Sequence, residues 1–516
     1  MKKILIILNL IICIFNTNAQ HHDQKRDYQW IFGYGSPKLG NIFDFNTKPM
    51  KLLAYPKLPN ADLSGYVAQM CDTSGKLVVF TNGCEILNRE FKTMQSGGGL
   101  NPGTVTSQIL CKKSGVRIPQ GAIMLPVPEN DSIIYLFHKI DDNQSGEWQT
   151  LQLYLSVINI KANKGLGEVL LKNYKIVKDT QITTELFAVR HGNGKDWWVV
   201  TPYWRKENND NRFMTLLVTR DSIKGPYEQA IGTPAPLDEV FQGAFSADGT
   251  QFVRHLIYEG IYYYKFDRNT GKFSDHKFIP IKPKDPPNML GGCSFSPSGR
   301  FIYVSNDTEL YQIDTYEKDW LGTMQTVAYW DGFANSIFTS KFIFQALAPD
   351  CKIYILPQGT IPFLSVINYP DRKGVACKVS QHIPINSNVD RGWPNLPSFR
   401  LGKIGEPFSP CDSTINGYIV DTGEVLNIEK NTIAATYPNP ATTDINLDLF
   451  GYINQYKKGI FNLYDTQGNL AASYPLLQNH DEYRFDISNL ANGMYFWHLV
   501  LDDKVRQTGK VVVMKE

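Results

Sequence analysis

Along residues 28–402, short apolar runs alternate with polar turns in a steady rhythm. Each apolar run meets a tight turn, reverses into a second apolar run, and is followed by two weaker ones. Turns at 72–76, 129–132, 192–196, 246–250, 296–300 and 348–352 put Gly, Asn, Asp or Pro where the backbone has to reverse. The segments directly after several of them, 77–80, 133–136, 197–200 and 301–304, are continuously apolar, the pattern of strands buried on both faces. Successive turns lie roughly 50 to 65 residues apart, close to a four-stranded unit with generous loops. The repeat predicts a ring of such units.

Units beginning near Tyr66, Gly121, Leu186, Gln242, Gly292 and Ala346 account for most of the ring. A further one is assembled from both ends, a strand at 394–401 pairing with strand-forming residues 30–55, so that no sheet edge stays open. The expected fold is therefore all-β: a seven-bladed β-propeller over residues 20–410, with six or eight blades as alternatives. Residues 411–432 are polar and read as a linker. Beyond them, alternating strands at 443–449, 459–464, 484–487, 493–501 and 504–514, with a turn at 465–468, predict a small C-terminal β-sandwich over 433–516.

Composition supports this reading. The chain has 27 Tyr and 28 Phe, punctuated by 40 Gly and 29 Pro, which favours sheets over helices. Lys2 and Lys3, the apolar run 4–15 and the small residues around Ala19 read as a signal peptide over 1–19, directing export through the inner membrane. Removing it takes the net charge from +2 to neutral, so no nucleic-acid partner is expected. No later run approaches the roughly 20 apolar residues of a membrane helix, and no transmembrane segment is expected. Export permits disulfides among the seven remaining cysteines; their pairing stays open, and the odd number leaves a thiol over.

Candidate chemistry is sparse. No phosphate-cradling loop, nucleophile elbow, His-Glu-x-x-His pair or C-x-x-C pair occurs, so no catalytic residue, metal ligand or cofactor is nominated. His191, between a strand and a turn, reads as a hydrogen-bonded tie. Residues 246–252 loosely match an aspartate box, itself a turn-stabilising element, and Glu185, Glu239 and Asp390 are scattered carboxylates without visible pairing. In a propeller the loops leaving each second strand gather on one face. Here they carry His138, Lys139, Tyr203, Trp204, Arg205, His255, Asn306 and Gln358. Tyr203, Trp204, Arg205, His138 and His255 are taken as the candidate ligand-binding residues, because aromatic and Arg side chains on such loops anchor glycans or proteins.

Two resemblances extend this. Tyr437-Pro438-Asn439-Pro440-Ala441, the run 461–468, the run 486–495 and Gly509-Lys510-Val511-Val512-Val513-Met514 together resemble the C-terminal sorting domain of the type IX secretion system. That likeness implies engagement of the secretion machinery through residues 433–516, passage across the outer membrane, removal of the domain, and release or attachment at the cell surface. Trp30-Ile31-Phe32-Gly33, the runs 83–88, 120–124, 188–198 and 295–300, and Leu396-Pro397 make the body similar to the propeller of gliding-motility-associated surface proteins. The long adhesive repeats usual in that family do not follow, and the family implies no established reaction. The function expected is a non-catalytic binding or adhesion module for a glycan or protein ligand. The alternative is a secreted carbohydrate-active or other hydrolase with its site in the central funnel.

Overall fold

The computed structural model describes residues 25–515, apart from 35–38, 59, 61, 64, 66, 109, 113–114, 117, 142–149, 178–184, 204–209, 236–240, 283–289, 336–337, 390–391, 416, 420–424, 428–433, 438–439, 450–455 and 478–481. The signal peptide expected over 1–19 lies outside the described residues.

The turns read from the sequence close as hydrogen-bonded reversals. Gly75 N–H donates to Asp72 O, Gly194 to His191 O, Gly249 to Ser246 O and Gly299 to Ser296 O. Each of these glycines has φ between +71° and +87°, the left-handed region where a Cβ is strained. From these turns spring the second strands Leu77–Thr81, Ile133–Asp141, Trp197–Tyr203, Gln251–Leu256, Phe301–Asn306 and Ile353–Pro357, each the partner of a first strand and a third.

Six four-stranded antiparallel groups result among the described residues, with first strands Ala68–Cys71, Ala122–Pro126, Phe187–Arg190, Phe241–Phe245, Gly291–Phe295 and Phe342–Leu347. Two of these groups fuse into one eight-stranded sheet through a single parallel pairing, Gln95 opposite Glu168, on their fourth strands. A three-stranded sheet, Gln29–Phe32, Leu39–Asp44 and Lys51–Pro56, completes the set. First strands of successive groups pack side by side around a centre, which makes the body a β-propeller. The last group meets the three-stranded sheet through a shared core of Trp30, Phe43, Phe344, Tyr354 and Trp393.

One expectation about closure is corrected. Residues 394–401 form no strand with 30–55; Pro394 instead bridges Val67 in parallel. Pro394 and Pro397 remove two ladder donors from this segment, so it cannot serve as a sheet strand. It acts through side chains instead: Trp393, Phe399 and Leu401 each enter a different hydrophobic cluster. The Asn395 side-chain amide donates to Ala122 O and Leu186 O, both at 2.8 Å. The segment thus pins several blades at once.

The chain ends of the body are held together by polar contacts. The Arg400 guanidinium makes a two-pronged pair with buried Asp27, at 2.7 and 2.8 Å. Tyr28 Oη donates to Asp412 at 3.2 Å, and Cys411 is disulfide-bonded to Cys351. Packing therefore runs beyond the expected linker boundary, as far as buried Ile415. The second disulfide joins Cys84 to Cys111, and Cys71, Cys293 and Cys377 are free and buried.

The C-terminal unit has two sheets sharing one core. Ala435–Tyr437, Asp444–Asp448 and Glu482–Asp486 make one; Leu470–Leu476, Gly459–Tyr464, Gly493–Leu501 and Lys504–Val513 make the other. Alternate residues Phe461, Leu463, Trp497 and Leu499 point inward against Ile445, Leu447 and Phe485, as a sandwich requires. The strand Leu470–Leu476 is absent from the sequence reading; it is largely exposed, with only Leu476 buried.

Candidate functional site

Of the residues nominated from sequence, His138, Tyr203, His255 and Asn306 lie on second strands of the blades. His138 is fully buried; its ring contacts Asn101 Oδ1 at 2.6 Å and Ser156 Oγ at 2.9 Å, and stacks on Tyr154. Burial without a counter-charge pushes its pKa down to about 3. His255, also fully buried, is held down to about 4 for the same reason. Tyr203 is buried at the end of its strand, while Trp204 and Arg205 lie outside the described residues. Asn306 is buried, and Gln358 is half-buried in a turn. The structure does not bring His138, Tyr203 and His255 to an open surface; they stand beneath the loops.

Beneath the same face lies a buried ionic cluster. Lys139 Nζ donates to Glu185 O at 2.9 Å and to Thr201 Oγ1 at 2.6 Å. The Glu185 carboxylate accepts from Arg254 at 3.3 and 3.4 Å. All of these side chains are essentially inaccessible. Desolvation drives the Lys139 ammonium well below its ordinary pKa, opposed by Glu185 and aided by the Arg254 charge. The cluster links strands from three successive blades. Sequence singled out Glu185 and Lys139 separately and gave no signal for Arg254, because their pairing spans 69 residues.

A layer of amides closes the inner strands. Gln120 exchanges two hydrogen bonds with the Gly243 backbone, at 2.9 and 3.0 Å. Gln242 Oε1 accepts from the backbone N–H of Cys293 at 3.1 Å and of Gln345 at 2.9 Å. These amides help line a central cavity of about 150 Å³, together with Trp30, Phe187, Trp393 and Ser398. Trp30 Nε1, Gln345 Oε1 and Ser398 Oγ have no hydrogen-bond partner among the described residues. Buried polar groups are ordinarily satisfied, and ordered water is the usual partner for such atoms.

Other sequence candidates resolve into turn chemistry. The His191 ring accepts from Asn193 N–H at 3.0 Å and contacts Asn269 O at 3.1 Å, tying a hairpin to the next blade. Asp248 caps its turn by accepting from Thr250 N–H and Oγ1. Glu239 and Asp390 lie outside the described residues. Among the described residues no three His, Cys, Asp or Glu side chains gather as a metal site, and no helix is long and apolar enough to cross a membrane.

With two stacked sheets, the Asp465 turn and the Gly493–Leu501 and Lys504–Val513 hairpin in place, the C-terminal unit can be compared with known families. Residues 435–514 match the secretion system C-terminal sorting domain. The sorting domain directs the chain through type IX secretion to the cell surface or the extracellular space. No curated protein matches the chain. Among solved structures, the chain is similar to the Dos1 propeller at 12% identity and TM-score 0.36, covering 64% of this chain and 73% of that one. An extracellular domain from B. thetaiotaomicron aligns at 12% identity and TM-score 0.35 over 96% of this chain; the chain spans 58% of that domain's length. A gluconolactonase from Xanthomonas campestris aligns at 11% identity and TM-score 0.29, covering 64% of this chain and 93% of that one. At such values none of their chemistry transfers to this chain.

The buried histidines make a pH prediction. In the unfolded chain each titrates near 6.5, while in the folded chain His138 and His255 stay neutral down to about 3 and about 4. Below pH 6.5 the unfolded chain therefore binds more protons, and stability that is complete above 6.5 is lost as pH falls. Each histidine contributes a slope of about 1.4 kcal/mol per pH unit between pH 6 and 4. His138→Gln removes one titrating group. Urea unfolding at pH 6, 5 and 4 should show its slope reduced by about that amount relative to the parent, whatever the change in absolute stability.

Proposed function

We propose that the chain is an exported propeller that binds a ligand on the face carrying the loops that leave each second strand, and that it catalyses no reaction there. The observation that carries this reading is how Lys139, Glu185 and Arg254 are used. Among the described residues, Lys139, Glu185 and Arg254 engage one another and the backbone between successive blades. Above them, recognition falls to loop residues, with Tyr203, Trp204, Arg205, His138 and His255 as the nominated set: the buried members fix the strand ends, and Trp204 and Arg205 follow directly from the Tyr203 strand end. Replacing both Trp204 and Arg205 by Ala should weaken binding of an identified ligand at least tenfold, and unchanged binding removes them from the surface.

The central cavity favours a second reading, a hydrolase in the funnel, because Trp30, Gln345 and Ser398 line a space of about 150 Å³. A glycan and polysaccharide array probed with the full chain, scored for retention and for release of reducing ends, separates the two. Retention without release is expected. Release of reducing ends overturns the binding reading and directs attention to the cavity.

A further inference from the structure

The two sheets of the C-terminal sandwich turn chemically different faces outward. On the three-stranded sheet, strand alternation puts Ile445, Leu447 and Phe485 in the core, so Asp444, Asn446, Arg484 and Asp486 point away from it. That face is charged, and Arg484 pairs with Asp444 at 2.8 Å. The four-stranded sheet alternates in the same way, with Phe461, Leu463, Trp497 and Leu499 inside. Several of its outward positions are apolar instead. Met494 is 41% exposed, Phe496 43%, Val505 54% and Leu470 57%.

Strand register brings these side chains together. Leu470, Tyr464, Phe496 and Lys510 are successive cross-strand partners, one from each strand, and Met494 stands opposite Val512 beside them. Pro475, Ile460, Val500 and Val505 make a second apolar row in the same manner. Cross-strand partners on one face lie about 5 Å apart, so the rows form one continuous surface. Between them, Asn462 and His498 are cross-strand partners whose polar groups are already engaged: Ser473 Oγ donates to Asn462 Oδ1 at 2.7 Å, and the His498 ring packs on Tyr464 at 4.7 Å. Lys510 supplies the charge in these rows, and no carboxylate stands in them.

We propose that this outward face is the surface that the type IX secretion machinery reads, docking on an apolar surface of a machinery protein that offers a carboxylate to Lys510. The inference rests on the sorting-domain match and does not depend on what the propeller binds. A sheet face turned to water is ordinarily polar, as on the three-stranded sheet, and contiguous exposed apolar side chains mark an interaction site. The match over residues 435–514 includes all four strands of this sheet, and the partner it implies is the secretion machinery. The propeller does not cover the face, since Met494, Phe496, Val505 and Leu470 are exposed in the whole chain. Met and Phe are also the side chains that most often anchor the centre of a protein interface.

Export of the full chain tests this. The triple change Met494→Thr, Phe496→Thr and Val505→Thr keeps good strand formers and touches no core side chain. The purified variant should keep the parent's thermal midpoint within a few degrees, while its amount outside the cell falls about tenfold or more and the periplasmic amount rises to match. Asn446→Thr with Arg484→Thr, on the opposite sheet, should leave export within about twofold of the parent. Parent-level export of the triple variant overturns the proposal, and so does an equal loss from the opposite-sheet variant. A second measurement decides the matter if the triple variant proves unfolded. The photo-crosslinker p-benzoylphenylalanine in place of Phe496 keeps a bulky ring, and in exporting cells it should join the chain to a secretion-machinery protein identified by mass spectrometry, whereas the same probe in place of Arg484 should not. Adducts from position 496 to the chain's own propeller or to a second copy, or no adduct at all, overturn the proposal.

Discussion

Glu185→Gln should lower the unfolding free energy by about 3 kcal/mol, the cost of breaking a fully buried ion pair from one side. The carboxylate faces Arg254, so the amide removes the buried charge that this guanidinium pairs with, while the Lys139 bond to the Glu185 backbone oxygen is kept. The loss is mostly desolvation that nothing offsets, and it should appear as a lower urea midpoint with an unchanged slope. Arg254→Met should cost a similar amount, since it strands the carboxylate. Combining Glu185→Leu with Arg254→Met should cost clearly less than the two single changes added together, because no unpaired member of that pair remains. A Glu185→Gln variant within about 0.5 kcal/mol of the parent would contradict a structural role for the pair.

Gly509→Val should abolish export. Gly509 faces Trp497 across the strand pair Gly493–Leu501 and Lys504–Val513, and a Cβ built on it would lie 2.4 Å from the indole ring. Trp497 is buried in the core shared by both sheets, so its ring cannot swing away without opening that core. Overpacking of this kind typically costs about 1–3 kcal/mol, and the extra branch of Val adds to it in a domain of this small size. The sorting domain would then be largely unfolded and unable to engage the secretion machinery. Immunoblots of medium, cell surface and periplasm should find the variant retained in the periplasm and the parent outside. Efficient export of Gly509→Val would mean that the machinery reads a linear segment rather than the folded sandwich.

The hairpins were legible because their chemistry is local. At 72–76, 246–250 and 296–300 a side-chain acceptor and a left-handed glycine lie within a few residues of each other, and the structure closes each as read. The sandwich was equally legible in Phe461, Leu463, Trp497 and Leu499, whose alternation puts one face inside. The candidate site was only half visible. His138, Tyr203 and His255 were placed at second-strand ends by counting strands, but a sequence does not say how deep beneath a loop a strand end sits, and all three are buried.

By itself the sequence determined the class of fold, the order and spacing of the hairpins, and the export address at the C-terminus, because turns, alternation and sorting motifs are written in neighbouring residues. Only the tertiary structure decided how the ring closes, which cysteines pair, and which charges meet. Those contacts join Arg400 to Asp27, Cys411 to Cys351 and Arg254 to Glu185. Their partners are far apart along the chain and come together only when curvature brings the last blade back to the first. A ring fixes such neighbours through accumulated geometry, and no local pattern encodes it.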